Sequence, residues 1–219
     1  AVGKGKMPEP ELLYEHILRA AAFEKDMKGM KVLVTAGPTQ EAIDPVRYIT
    51  NHSSGKMGYS IAKMCMLRGA DVTLVSGRAS IAPPPFVTII PVISAKDMYD
   101  AVVARSAEMD LIFKAAAVAD YRPCNVAEEK MKKSGDSLSI ALERTDDILK
   151  ALGKNKKPGQ FLCGFSMETE NMLENSRGKL VRKHLDMIVA NNLKVPGAGF
   201  STDTNIVTII TPDSVKELE

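Results

Sequence analysis

The chain has 219 residues, 45% of them hydrophobic and 26% charged, the profile of a globular protein large enough to bury a core without disulfide or metal staples. Its 29 Lys and Arg against 27 Asp and Glu leave a net charge of +2, which argues against a general nucleic-acid binder while leaving room for a small basic pocket. Three scattered cysteines in no metal-ligand spacing, no signal peptide, and no apolar run near the roughly 20 residues that span a membrane point to a cytoplasmic protein with no membrane partner.

In chain order, a Gly/Lys-rich start leads to Met7-Pro8-Glu9-Pro10, which cannot lie mid-helix, and then Leu12, Leu13, His16, Ile17 and Ala20 recur at helical spacing. Residues 1–29 therefore read as a linker followed by one helix, with His16 a surface or packing residue. From Lys31 the pattern alternates between strand and helix. Lys31–Thr35 is a β-rich run, and Gly58–Leu67 is helical, stopped by Arg68-Gly69. Val72–Val75 is a strand, Pro83-Pro84-Pro85 a rigid loop, Val87–Val92 strand-like and Lys96–Met109 helical. Leu111–Phe113 leads into an alanine run, and Arg122–Gly135 is polar, lysine-rich and reads as a mobile loop. Phe161–Phe165 and Met187–Ala190 are strands, Asn171–Leu185 between them is helical, and Ile206–Ile210 is a last strand. Apolar strands separated by helices predict a Rossmann-like, three-layer α/β domain over residues 30–219, with a mostly parallel sheet and helices on both faces. Ligands of such sheets bind outside the carboxyl ends of the strands, where the direction of winding switches.

Five segments carry candidate chemistry. Thr35-Ala36-Gly37-Pro38-Thr39 ends a strand in small residues, which admits a ligand to the backbone or makes a plain turn. Asn51-His52-Ser53-Ser54-Gly55-Lys56 runs into an apolar helix, where Ser53 or Ser54 would cap the first turn and the free amides would attract an anion. It is not a Walker loop, because Thr50 stands where glycine would and Met57 where a magnesium-holding hydroxyl would. Ala115 to Asp120 leaves space for a flat ring or sugar, with Asp120 an acceptor for a hydroxyl or amino group. The bland alternative is tight packing with a surface aspartate. Lys130, Lys132 and Lys133 form either a solvated face or a loop that closes on phosphate. Lys179 and Lys183 share one helix face, as solvated residues or as a phosphate clamp, with His184 beside them structural.

These segments together resemble the phosphopantothenoylcysteine synthetase (phosphopantothenate–cysteine ligase) family. The strings are KVLVTAGPTQEAIDPVRYITNHSSGKMGYSIA, AAAVADYRP, EEKMKKS, DDIL, GFSMET, GKLVRKHLDMIVAN and GFSTDTN. Each is weak alone, and seven in this order is specific. Gly5-Lys6-Met7-Pro8-Glu9-Pro10 further resembles the end of the flavin-dependent decarboxylase half that precedes this enzyme in many bacteria. The resemblance implies that residues 1–29 trail from such a fused decarboxylase and that the flavin, FMN, belongs to that half.

It also implies a reaction. The carboxylate of 4′-phosphopantothenate attacks the α-phosphate of CTP, with Mg2+ on the phosphates, and L-cysteine then displaces CMP from the acyl-cytidylate. By matching motifs, Asn51 would hold the acyl-cytidylate and Lys130 would meet the triphosphate. Gly37, Ala116, Asp120, the run Asp146, Asp147, Ile148 and Leu149, Phe165, Lys179 and Lys183 would line the nucleotide site. His52, Ser53 and Ser54, with Asn51, would hold phosphopantothenate. A homodimer and a short helix beyond Glu219 are further implications. Two alternatives remain. One is an NADP-dependent short-chain-type reductase, suggested by Ser53–Gly58 and by Tyr59 and Lys63 in Tyr-x-x-x-Lys spacing. The other is a non-enzymatic nucleotide-binding module.

Overall fold

The chain folds around one eight-stranded sheet in the order β12-β11-β10-β9-β6-β1-β4-β5. The computed structural model describes residues 7–132, 137–168, 171–192 and 206–218. The start up to residue 6, Lys133 and the string at 199–205 lie outside the described residues. The sheet strands are β1 (Lys31–Ala36), β4 (Asp71–Ser76), β5 (Thr88–Pro91), β6 (Leu111–Lys114), β9 (Phe161–Glu168), β10 (Met187–Asn192), β11 (Val207–Ile210) and β12 (Val215–Leu218). Six of them, β5 through β10 in spatial order, run parallel, and β11 and β12 close one side antiparallel. The expected Rossmann-like sheet is present. The last predicted strand proves to be the first arm of a hairpin that ends in β12.

The helices are α1 (Pro10–Ala21), α2 (Lys56–Leu67), α3 (Ala95–Ser106), α4 (Ile148–Lys154) and α5 (Met172–Arg182). The two faces of the sheet follow from strand alternation. Val32, Val34, Val72 and Leu74 pack with Ala62, Cys65 and Met66 of α2, against which α1 stacks. Leu33, Val75, Ile112, Leu162 and Ile188 face the other way, onto Met98 and Val102 of α3, Leu149 and Leu152 of α4 and Leu180 of α5. Burial pushes the Cys65 thiol up to about 11 and Cys163 up to about 12, so both are inert core fillers, whereas Cys124 is exposed. His16 packs on Phe86 with ring centroids 4.6 Å apart, the packing role expected of it. Among the described residues no helix is long and apolar enough to cross a membrane.

The chain enters the sheet at its centre. β1 pairs with β4 on one side and β6 on the other, so winding reverses between β1 and β6, and a crevice opens above their carboxyl ends. Two antiparallel ribbons decorate that end. One joins β2 (Gln40–Ala42) to β3 (Tyr48–Thr50), and the other joins β7 (Tyr121–Pro123) to β8 (Leu142–Arg144). Helix α2 lies directly on β1: a Cβ on Gly58 would stand 2.5 Å from Ala36 Cβ and 2.9 Å from the Thr35 carbonyl oxygen. Gly58→Ala is therefore expected to lower stability by about 1–3 kcal/mol through overpacking. Urea denaturation checks this, and an unchanged midpoint would mean that α2 can lift from the sheet at little cost.

Candidate functional site

The loop after β6 is hung on the loop after β1. Thr35 and Thr39 are fully buried, and their hydroxyls accept the amides of Ala116 (3.1 Å) and Ala119 (3.0 Å). Ala117 donates its amide to Gly37 O at 3.0 Å, and its carbonyl accepts the Thr39 amide at 3.2 Å. Gly37, at φ +72, packs against Gly77 and has this stitching role. It lines neither cavity described below.

The larger of two cavities near the carboxyl ends of the strands, about 720 Å³, lies on the α2 face of the sheet. One wall is the start of α2 with Ser53 and Ser54, another is Ala115–Ala117, and Phe165, Val189 and Asn191 form its floor. The helix start differs from expectation. Gly55, at φ +83, is the N-cap and no side chain caps the helix. Ser53 and Ser54 instead accept the amides of Gly55 and Lys56. Left-handed backbone at Gly55 turns the chain too early for a serine to reach N2 or N3, so Ser54 meets only the N1 amide of Lys56, and the Met57 and Gly58 positions that line the cavity carry no side-chain cap, an arrangement suited to an anion. Asn51 and His52 are both exposed and line neither cavity, but the Asn51 Nδ2 donates to the carbonyl of Ala117, a lining residue, at 3.2 Å. Glu15 Oε2 and Asn191 Oδ1 are buried without a hydrogen-bond partner among the described residues, and both belong to lining residues of this cavity. They are acceptors awaiting an N–H or O–H donor.

The second cavity, about 380 Å³, lies above β6 between α4 and α5. It brings together Asp120, Asp146, Asp147, Ile148, Leu149, Lys179 and Lys183, all predicted from distant stretches of sequence. Asp147 caps α4 by accepting the Lys150 amide at 3.0 Å and pairs with Lys183 at 2.7 Å. Burial raises the Asp147 carboxyl, but the Lys183 bond and the Lys150 amide outweigh it and leave the group below the ordinary carboxylate value. Lys179 donates to Phe165 O at 3.1 Å. Phe165 thus offers its backbone to this lysine while lining the larger cavity, where Ala116 also lies. Five lining residues were missed: Val118, Tyr121, Arg144, Thr145 and, at the end of β6, Lys114. The sequence reading ended that strand at Phe113; a lone cation closing an apolar strand was the available signal.

Tyr59 and Lys63 line the larger cavity, and each is already bonded there. The Tyr59 hydroxyl bonds Ser76 Oγ at 2.9 Å and Lys63 pairs with Glu15 at 2.6 Å, as packing and surface residues would.

Lys130 is exposed and lines neither cavity, yet its loop is tied down at described positions. Ala127 donates to Ile43 O at 3.0 Å, Met131 donates to Asp44 Oδ2 at 3.1 Å, and Arg47 Nη2 reaches Met131 O at 3.0 Å. Asp44 is 3% exposed and pairs with Arg47. The guanidinium and three backbone amides, those of Val46, Arg47 and Met131, hold its carboxyl well below the usual carboxylate range. With a depressed folded value, the tie is fully present above the ordinary pKa of 3.8 and is lost only as pH falls below it. Asp44→Asn is expected to speed hydrogen exchange at the Ala127 and Met131 amides at pH 7 and leave the β1 amides unchanged. Equal protection in the variant would show that the loop is held by other contacts.

A family profile described as the DNA/pantothenate metabolism flavoprotein C-terminal domain matches residues 27–219. The coenzyme A biosynthesis bifunctional protein CoaBC of Bacillus subtilis (strain 168) is 47% identical over 218 residues, 98% of this chain and 53% of that protein. The chain thus spans about half the length of the curated relatives it matches. Among solved structures, the C-terminal domain of a coenzyme A biosynthesis bifunctional protein CoaBC superposes with TM-score 0.75 at 47% identity, over 88% of this chain and 87% of that one. The DNA/pantothenate metabolism flavoprotein from Streptococcus pneumoniae superposes with TM-score 0.76 at 25% identity, over 87% and 92%.

Proposed function

This chain belongs to the family of DNA/pantothenate metabolism flavoprotein C-terminal domains, and on that premise we propose that it is the phosphopantothenate–cysteine ligase of coenzyme A biosynthesis. The observation that carries the reading is the convergence of Asp120, Asp146 to Leu149, Lys179 and Lys183 on one cavity at the strand ends. These residues come from three separate strings and share no local reason to meet.

CTP would place its triphosphate toward Lys179 and Lys183 and its nucleoside against the α4 start and the Ala115–Asp120 loop. Phosphopantothenate would occupy the larger cavity, with its phosphate at the α2 start near Ser53 and Ser54. Its one amide N–H and its secondary hydroxyl suit the unpartnered oxygens of Asn191 and Glu15. The reaction then has two displacements. A carboxylate oxygen of phosphopantothenate attacks the α-phosphorus, the bond to the β-phosphate breaks and pyrophosphate leaves. The cysteine amine next attacks the acyl carbon, CMP departs and the nitrogen loses a proton. Positioning and charge neutralisation supply most of the acceleration. Asn51, bonded to the Ala117 carbonyl of the alanine loop, would hold the acyl-cytidylate, and Lys130 would close over the triphosphate. His52 would face the phosphopantothenate end.

Magnesium would neutralise charge on the triphosphate. Among the described residues no three His, Cys, Asp or Glu side chains gather into a metal group. Asp120 and Asp146 fit as the one or two carboxylates beside an ion that keeps its waters and binds through substrate phosphates. A homodimer and a fused FMN-containing decarboxylase are parts of the same proposal.

The test is pyrophosphate release from CTP, or ATP, with 4′-phosphopantothenate, with and without cysteine. Wild type is expected to require phosphopantothenate and prefer CTP. Lys130→Gln is expected to lose on the order of 100-fold or more in release. Asn51→Asp is expected to release pyrophosphate yet form no amide. Full activity in the Lys130 variant, or NADPH binding in place of CTP, would overturn the reading.

A further inference from the structure

Strand β6 is apolar until its last residue. Lys114 Nζ donates to Ala116 O at 3.2 Å and forms no ion pair among the described residues. It lines the 380 Å³ cavity beside Lys179 and Lys183. Of those two, Lys183 is committed to Asp147 and Lys179 donates to Phe165 O. The other charged or titratable groups around the cavity are Asp120 and Tyr121 after β6, Arg144 on β8 and Asp146 before α4.

Burial, and then the charges of Lys179 and Lys183, push the Lys114 ammonium down to about 8, against smaller opposing contributions from Asp120 and Asp147. A half-buried cation crowded by two others weakens the fold on its own. Such a placement makes sense where a polyanion completes the site. A lysine that merely ran its stem along the core would turn its amine out to water, but this amine stays against the Ala116 carbonyl, inside the cavity wall.

We propose that Lys114 is the third cation of the polyphosphate subsite, binding phosphate oxygens together with Lys179 and Lys183 and taking up a proton as the anion arrives. The proposal rests on the nucleotide reading of this cavity. No covalent bond forms or breaks, and the proton comes from solvent. The sign follows from linkage. Bound phosphate raises the amine's pKa above its value in the free protein. Binding therefore takes up a proton at pH above about 8, and affinity falls as pH rises from there. Below that pH the amine is already charged and contributes no slope.

The experiment is titration calorimetry of CTP and, separately, inorganic tripolyphosphate. It uses wild type, Lys114→Met and Lys114→Arg from pH 7 to 9.5, in buffers of different ionisation enthalpy. Wild type is expected to lose affinity by up to about tenfold per pH unit above pH 8 and to take up close to one proton there. Lys114→Met is expected to bind CTP and tripolyphosphate about 10- to 100-fold more weakly at pH 7 and to lose the slope. CMP affinity should fall much less. Lys114→Arg should restore affinity without the slope, an outcome that a packing role would not produce. Wild-type affinity in Lys114→Met, or equal losses for CMP and CTP, would overturn the proposal. Wild type that binds tripolyphosphate but not CTP would sink the ligase reading and leave the lysine's role standing. Binding of neither ligand would sink both.

Discussion

Two buried threonine hydroxyls carry the geometry of the whole ligand face. Thr35 and Thr39 stand at the end of the central strand and accept amides of a loop that follows its neighbour, β6. Without them those amides would be buried and unpaired, at about 1–3 kcal/mol each. The loop would then have no reason to keep the small-residue surface of Ala115–Ala117 turned toward the cavity. The same tie reaches Asn51 through Ala117 O and α4 through Thr145, whose hydroxyl donates to Ala119 O at 2.6 Å. One junction between two parallel strands thus sets the position of Asn51, the alanine wall and the approach to α4.

The electrostatics build on that junction with different devices in the two cavities. Around the larger one the positive end is backbone, the uncapped first turn of α2 behind Gly55. Around the smaller one it is side chains, with lysines from β6 and from the α5 segment facing aspartates at the α4 start. Partial charges on amides suit a terminal phosphate that must be held and released. Whole charges on lysines suit a polyphosphate whose bonds are to be broken. A net charge of +2 conceals this segregation.

How much of this was readable without coordinates depends on the range of each interaction. The parallel strands announced themselves because Val32–Val34, Leu74–Val75 and Leu162–Gly164 are buried on both sides and so are apolar. The ribbons β2–β3 and β7–β8 were missed because three-residue strands of mixed polarity carry too little periodicity. The short helix α4 announced only its start, at the Asp146-Asp147 run. The grouping of Asp146 to Leu149 with Lys179 and Lys183 was reachable through the resemblance, whereas spacing alone left each open to a solvated reading. Ser53 and Ser54 were assigned as caps from composition, and a glycine in left-handed backbone took the position instead. Asp44 was invisible as an anchor because Met131, its partner, lies far along the chain. Lys114 was passed over because its neighbours make it look like the frayed end of a strand.

The tie at Asp44 also bears on how Lys130 would reach the triphosphate in the proposed mechanism. Lys130 sits one residue before Met131 and three after Ala127, both bonded to the β2–β3 ribbon and its turn. At roughly 3.6 Å of reach per residue, the backbone between those anchors has little space to explore. What remains free is the side chain itself, on a leash shorter than the loop that carries it. Confinement of that kind raises the local concentration of the ammonium and leaves less conformational entropy to be lost on closing. On the proposed function, this anchoring rather than the length of the loop would set how often the lysine meets the triphosphate.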